Sequence, residues 1–155
     1  MKRSVIKLLS LVPVLFMMLG FMPTHAMEMT FTQTINGFTV TYREGMGVIT
    51  GYSGNHKDLV VPVMGYSSNV GGYYPIMRIA NGTTISSKYA ETLTFGKSMD
   101  ATTAFLEMGT DVFNLPNLKK ITFNASLSGM PEASPDWDLS DAFTDCVNVT
   151  EIIVS

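Results

Sequence analysis

Three seven-residue segments of this chain superpose without gaps, and that recurrence limits the possible folds more than any other feature of the sequence. Tyr89-Ala90-Glu91-Thr92-Leu93-Thr94-Phe95, Asn117-Leu118-Lys119-Lys120-Ile121-Thr122-Phe123 and Asn148-Val149-Thr150-Glu151-Ile152-Ile153-Val154 all carry apolar residues at the second, fifth and seventh places. Ala90, Leu118 and Val149 are spaced 28 and 31 residues apart. A period of that size marks a stack of similar turns, each giving one strand and none able to bury its apolar face alone. Phe113 and Phe143 add a second landmark, five and six residues before Leu118 and Val149; the Ala90 unit has no aromatic there.

Side chains alternate across a strand, so in each unit the fifth and seventh places point one way and the fourth and sixth the other. Leu118, Ile121, Phe123, Ile152 and Val154 are therefore expected in a core, with Phe143 packed beneath the turn that follows it. The opposite side collects Thr92, Thr94, Lys120, Thr122, Asn124 and Glu151, with Gly96 and Ile153 between them. These six polar residues are the candidate ligand-binding face; plain solvated strand positions are the bland alternative.

Ahead of the recurrence the pattern has period two. Phe31–Ile35, Phe38–Tyr42 and Val48–Thr50 alternate β-branched or aromatic residues with polar ones. Asn36-Gly37 separates the first pair and Glu44-Gly45-Met46-Gly47 the second, which predicts an antiparallel meander. Tyr52 to Asp58 reads as a polar loop, Leu59-Val60-Val61-Pro62 as a short strand ended by proline, and Gly65 to Pro75 as a loop or insertion.

The Asp141–Val154 stretch, with Ala142, Phe143, Cys146, Asn148, Val149, Ile152 and Val154, resembles the A-F-x-x-C-x-N-L-x-x-I-x-I unit of the BspA-type leucine-rich repeats of bacterial surface and secreted proteins. Asp111–Phe123 is similar but one residue shorter, with Leu115-Pro116 in place of the Cys turn. Leu59-Val60-Val61-Pro62 followed by Tyr74-Pro75-Ile76-Met77-Arg78-Ile79 resembles the start of such arrays. The likeness implies a mainly β protein: an N-terminal β-meander, then a short, irregular leucine-rich-repeat solenoid. It also implies non-catalytic recognition or adhesion, with a protein or glycan at a cell surface as partner. The units are longer than is usual for that family, and Gly129 to Asp138, with Pro131 and Pro135, reads as an insertion. No polar capping repeat follows the last strand pattern, so a longer array or another cover is expected at that end.

Lys2, Arg3 and Lys7 precede an almost wholly apolar run from Leu8 to Met22, and Ala26 closes the segment. This is the layout of a secretory signal cleaved after Ala26. The expected division is a signal at 1–26, an N-terminal strand cap at 27–57 and a repeat region at 58–155, giving a secreted or cell-surface product with no membrane span in its mature part. An uncleaved anchor is the alternative, against which the apolar run is short of the roughly 20 residues a span needs. Without the leader, seven basic residues face thirteen acidic ones. That balance argues against nucleic acid, whose phosphates need a basic patch.

Catalytic chemistry has little to draw on. His56 is the one histidine after the leader, Cys146 is the one cysteine in a core-like place, and no serine sits in a nucleophile elbow. No intramolecular disulfide can form, and no cofactor or metal is expected. An exported hydrolase using a carboxylate pair from Glu107, Asp111, Glu132 or Asp136 is the runner-up, and a structural fragment without a ligand is the third reading. Asp136 to Asp141 alternates oxygens as a calcium loop does, but Asp141 stands where the glycine should be and Val147 where the closing Glu should be. Trp137 could stack on a sugar or simply pack. Asn81, Asn124 and Asn148 open Asn-x-Ser/Thr triplets that matter only in a glycosylating host.

Overall fold

A computed structural model describes residues 30–67, 71–96, 105–124, 126–129 and 138–154. The leader with its cleavage point, the insertion residues Pro131, Glu132, Pro135, Asp136 and Trp137, and Ser155 lie outside the described residues.

Thirteen strands are described: β1 (Phe31–Ile35), β2 (Phe38–Arg43), β3 (Met46–Tyr52), β4 (Asp58–Val61), β5 (Met64–Ser67), β6 (Gly72–Ile79), β7 (Ile85–Ser86), β8 (Thr92–Phe95), β9 (Phe105–Met108), β10 (Phe113–Asn114), β11 (Lys120–Phe123), β12 (Ser126–Gly129) and β13 (Glu151–Val154). A 3-10 helix, Leu139–Phe143, precedes β13. The molecule is mainly β, with no closed barrel among these strands.

The expected meander is present. β1, β2 and β3 pair antiparallel in sequence, with one register shift at Thr39/Val40. Asn36 and Gly37 both take positive φ, 51° and 84°, as a two-residue hairpin turn with the right twist demands. The second turn is tighter than the sequence suggested. Glu44 and Gly45 alone make it, at φ 52° and 79°, while Met46 and Gly47 already belong to β3.

From β3 onward the pairing is parallel, except between β5 and β6, which pair antiparallel. β3, β6, β9 and β12 line up in one seven-stranded sheet that also holds the meander and β5. A second sheet has the order β13-β11-β8-β4, all parallel. Its register matches the sequence superposition residue for residue: Thr92, Lys120 and Glu151 are neighbours, and Asp58 joins them at the start. Asp58, Thr92, Lys120 and Glu151 are 34, 28 and 31 residues apart, so the unequal lengths are absorbed between strands and not within them.

β7 and β10 form a third, two-stranded ladder in which Ile85 sits opposite Phe113. The aromatic landmark missing from the Ala90 unit is therefore an aliphatic residue: Ile85 is buried in the place that Phe113 fills one turn later. Phe143 continues the column, stacked on Phe113 at 4.9 Å between centroids, and Phe95 stacks on Phe123 at 5.1 Å. Such ring pairs add about 0.5–1.5 kcal/mol each beyond the area they bury. Phe143 is half-buried, which fits its place at the last turn.

Two expectations fail. Gly65 to Pro75 is no mere loop: Met64–Ser67 and Gly72–Ile79 pair as an antiparallel hairpin. Its Gly-rich composition hid it, and Gly65 is there because Tyr42 leaves no room, its hydroxyl lying against the position a Cβ would occupy. Ile152 and Val154 are the second. They lie in the same rows as the buried Ile121 and Phe123 but are 62% and 79% exposed. An inward-pointing residue is buried only when the next layer of chain covers it, and no described residue lies beyond β13 in its sheet.

The core is continuous from the meander to β11. Phe38, Val40, Tyr42 and Ile49 join Leu59, Val61, Leu93, Phe95, Ile121 and Phe123 in one cluster. Polar ties repeat along the stack: the amide of Asn117 donates to the Lys88 carbonyl at 2.7 Å and that of Asn148 to the Pro116 carbonyl at 2.6 Å. Backbone N–H groups of Glu91, Lys119 and Thr150 donate in turn to the carbonyls of Lys57, Glu91 and Lys119.

Candidate functional site: the outer face of the four-stranded parallel sheet

Two rows of side chains cross this face. The first is Asp58, Thr92, Lys120 and Glu151; the second is Val60, Thr94, Thr122 and Ile153. Strands spaced about 4.8 Å apart hold each row at a fixed pitch. Five of the six sequence-derived candidates therefore stand on three adjacent strands, β8, β11 and β13. Asn124 lies one residue beyond β11, its N–H donating to the Phe95 carbonyl at 3.3 Å, so it marks the exit from the face. Sequence reasoning missed Asp58 and Val60, which the Leu59-Val60-Val61-Pro62 strand signal could have added had it been aligned with the later units.

The first row is paired across strands. Thr92 donates its hydroxyl to Asp58 Oδ1 at 2.7 Å, and Lys120 Nζ meets Glu151 Oε1 at 3.2 Å. Just before the strands, Glu91 bridges Lys57 at 3.3 Å and Lys119 at 3.4 Å. The hydrogen bond from Lys57 does most to hold the Glu91 carboxyl below its ordinary range; burial opposes it, and the hydrogen bond from Lys119 with the charges of both lysines adds to the lowering. Pairs this exposed contribute little to stability, but they set the order of charge along the face. The second row differs: Thr94 and Thr122 are half-buried between the apolar Val60 and Ile153.

Groups weighed for catalysis are engaged elsewhere. His56 Nδ1 lies 3.2 Å from the Tyr52 hydroxyl. Cys146 is buried, its Sγ 3.4 Å from the Phe113 carbonyl, and burial pushes its thiol up. His56 precedes the first strand of the sheet and Cys146 the last, so three strand spacings of about 4.8 Å separate their turns. The Asp138 carboxylate caps the 3-10 helix: it accepts from the Ser140 N–H at 2.6 Å and from the Ser140 hydroxyl, while the Asp138 N–H donates to Asp141 at 3.0 Å. Those hydrogen bonds from Ser140 hold the Asp138 carboxyl below its ordinary pKa. Oxygens that alternate like calcium ligands in the sequence thus serve as a capping box. Among the described residues no group of three or more His, Cys, Asp or Glu is placed to hold a metal, and no helix is long and apolar enough to cross a membrane.

No protein-family model and no curated protein matches the chain. Among solved structures it is similar to a leucine-rich cell surface protein from Faecalibacterium prausnitzii A2-165, at 13% identity and a TM-score of 0.43. That alignment covers 81% of this chain and 43% of the other, so the chain spans less than half the length of this neighbour.

Proposed function

We propose that this chain is a non-catalytic, secreted or cell-surface recognition protein whose leucine-rich-repeat solenoid binds a protein or glycan through the outer face of β4, β8, β11 and β13. One observation carries the reading. Polar and β-branched side chains from four consecutive parallel strands stand in register on an open face, which gives a partner a fixed array of contacts. Thr92, Thr94, Lys120, Thr122, Asn124 and Glu151 are the proposed contact residues, and Asp58 and Val60 extend them. In this reading residues 1–26 are a signal removed after Ala26, 27–57 cap the array and 58–155 form it. Mass spectrometry of exported protein should then find Met27 at the N-terminus.

The test is a screen of the exported protein against matrix proteins and glycans, followed by a Lys120→Ala/Thr122→Ala double variant. Interfaces depend on a few central side chains, so a true partner should bind about 1–2 kcal/mol more weakly, roughly a 5- to 30-fold rise in Kd, with the fold unchanged. His56→Ala should bind as the parent does. Turnover of a peptide or glycan that is lost on changing His56 or an acidic pair would overturn the proposal.

A further inference from the structure

The charges on the outer face of β4, β8, β11 and β13 are interleaved. At the strand starts Glu91 stands 3.3 Å from Lys57 and 3.4 Å from Lys119, and in the first row Lys120 stands 3.2 Å from Glu151. Asp58 accepts from the Thr92 hydroxyl at 2.7 Å. Three lysines thus meet three carboxylates. Wherever one of them draws a ligand charge, an opposite charge on a neighbouring strand pushes it back. Such a face has no net field to gather a polyanion or a polycation.

The second row is different. Val60, Thr94, Thr122 and Ile153 stand in register across β4, β8, β11 and β13, and none is charged. All four are β-branched and stiff at χ1, so methyl groups and two hydroxyls are presented in fixed places. Among the described residues neither the Thr94 nor the Thr122 hydroxyl has a hydrogen-bond partner, although that of Thr92 in the first row does. Each is a donor and an acceptor open to a ligand.

Pitch decides what can lie along this row. Neighbouring strands are about 4.8 Å apart, whereas an extended peptide repeats its same-side residues about every 6.6–6.8 Å and falls out of step after one strand. A helix repeats about every 5.4 Å, but it docks by an apolar stripe, and the centre of this row is two hydroxyls. The rings of an unbranched glycan follow one another at close to the strand spacing. Each ring offers C–H groups on its faces and hydroxyls at its rim.

We propose that the ligand of this face is a neutral, unbranched glycan lying along the second row, about one sugar ring to a strand. The Thr94 and Thr122 hydroxyls hydrogen-bond sugar hydroxyls, and the methyl groups of Val60 and Ile153 seat the flanking rings. The inference rests on the reading of this face as the binding surface and narrows its partner to one chemical class.

The test is an array of neutral, sulfated and uronic-acid oligosaccharides from disaccharide to hexasaccharide, with cello-, xylo- and manno-oligosaccharides as the neutral set, probed with the full exported chain. Neutral members should bind, with affinity rising up to the tetrasaccharide and level beyond it. Their affinity should change by less than about twofold between low and high salt, because no ion pair is made. Thr94→Val/Thr122→Val keeps the shape and removes both hydroxyls, and should weaken binding about tenfold. Thr94→Ser/Thr122→Ser, which keeps them, should bind within about threefold of the parent. Lys57→Gln/Lys119→Gln should leave binding unchanged. Preference for the charged members, affinity that falls steeply with salt, or failure of every neutral member to bind overturns the proposal. If a matrix protein binds instead and the Lys120→Ala/Thr122→Ala variant loses it, the face remains the binding surface and only the glycan assignment falls. Neutral-glycan binding untouched by the valine pair and by Lys120→Ala/Thr122→Ala overturns both.

Discussion

Val61 and Val154 are the same residue type in the same row of the same sheet, three strands apart, yet one is fully buried and the other 79% exposed. The difference lies in what stands beyond each. Past β4, the meander brings Phe38, Val40, Tyr42 and Ile49 into the core cluster that contains Leu59 and Val61. Past β13 the sheet has no further described strand. A strand's pattern fixes which way a side chain points, and the neighbouring layer fixes whether pointing inward means burial.

The contrast breaks most severely at the middle of the stack. Phe95 contacts the rings of Phe113, Phe123 and Phe143, so Phe95→Ala should lower unfolding free energy by about 3–5 kcal/mol in chemical denaturation, as for other buried aromatics. A small domain has only about 5–15 kcal/mol in all. A parent-like midpoint would mean that the rings do not share one core.

The comparison of ends is sharpened by one matched pair in a single row. Leu59→Ala should cost about 2–5 kcal/mol, while Ile152→Ala should stay within about 0.5 kcal/mol of the parent. Equal effects would show that β13 is covered. Next in size are the asparagine ties. Asn117→Ala and Asn148→Ala each remove one side chain-to-carbonyl hydrogen bond, about 0.5–1.5 kcal/mol. Hydrogen exchange should separate them: Asn148→Ala should raise exchange in β13 alone, whereas Asn117→Ala should loosen both β8 and β11.

Buried polarity at the covered end gives a smaller change of opposite sign. Among the described residues the Tyr42 hydroxyl is buried without a hydrogen-bond partner, and burial pushes its pKa up. Tyr42→Phe should therefore leave stability equal to the parent or raise it by up to about 1 kcal/mol, because it removes an unsatisfied group and keeps the ring that stacks on Phe31. A clear loss would reveal a partner for that hydroxyl. The smallest effect is one of pH. Glu91 is held below its ordinary range by Lys57 and Lys119, so its contribution is present above about pH 4.3, the free carboxyl value, and disappears as pH falls through the lowered one. Glu91→Gln should flatten that part of the profile of Tm against pH.

Much of the fold was legible because the information was local. Asn36-Gly37 announced its hairpin through the positive φ that both positions must take. Period-two alternation named the inward and outward residues of β8 and β11 correctly, and the gap-free superposition of three segments predicted their register with β13. Legibility ended where partners are distant in sequence or composition misleads. Gly65 to Pro75 lacks the alternation of a half-buried strand, although its two arms pair across the chain. β9 and β12 are four-residue strands that exist because each lies beside an earlier turn. The candidate face was legible as a set of residues; the pairing of Thr92 with Asp58 and of Lys120 with Glu151 was not, because it depends on side chains meeting across strands.

The sequence by itself determined which residues share a row and which side of the sheet each one takes, since side-chain alternation and repeat phase are properties of the chain alone. Tertiary structure decided the rest. It made Ile85 the counterpart of Phe113, turned Asp138 from a calcium-like oxygen into a helix cap paired with Asp141, and buried Val61 while leaving Val154 in the open. Burial and hydrogen bonding need a second surface at contact distance, and the position of that surface is set by how the turns stack.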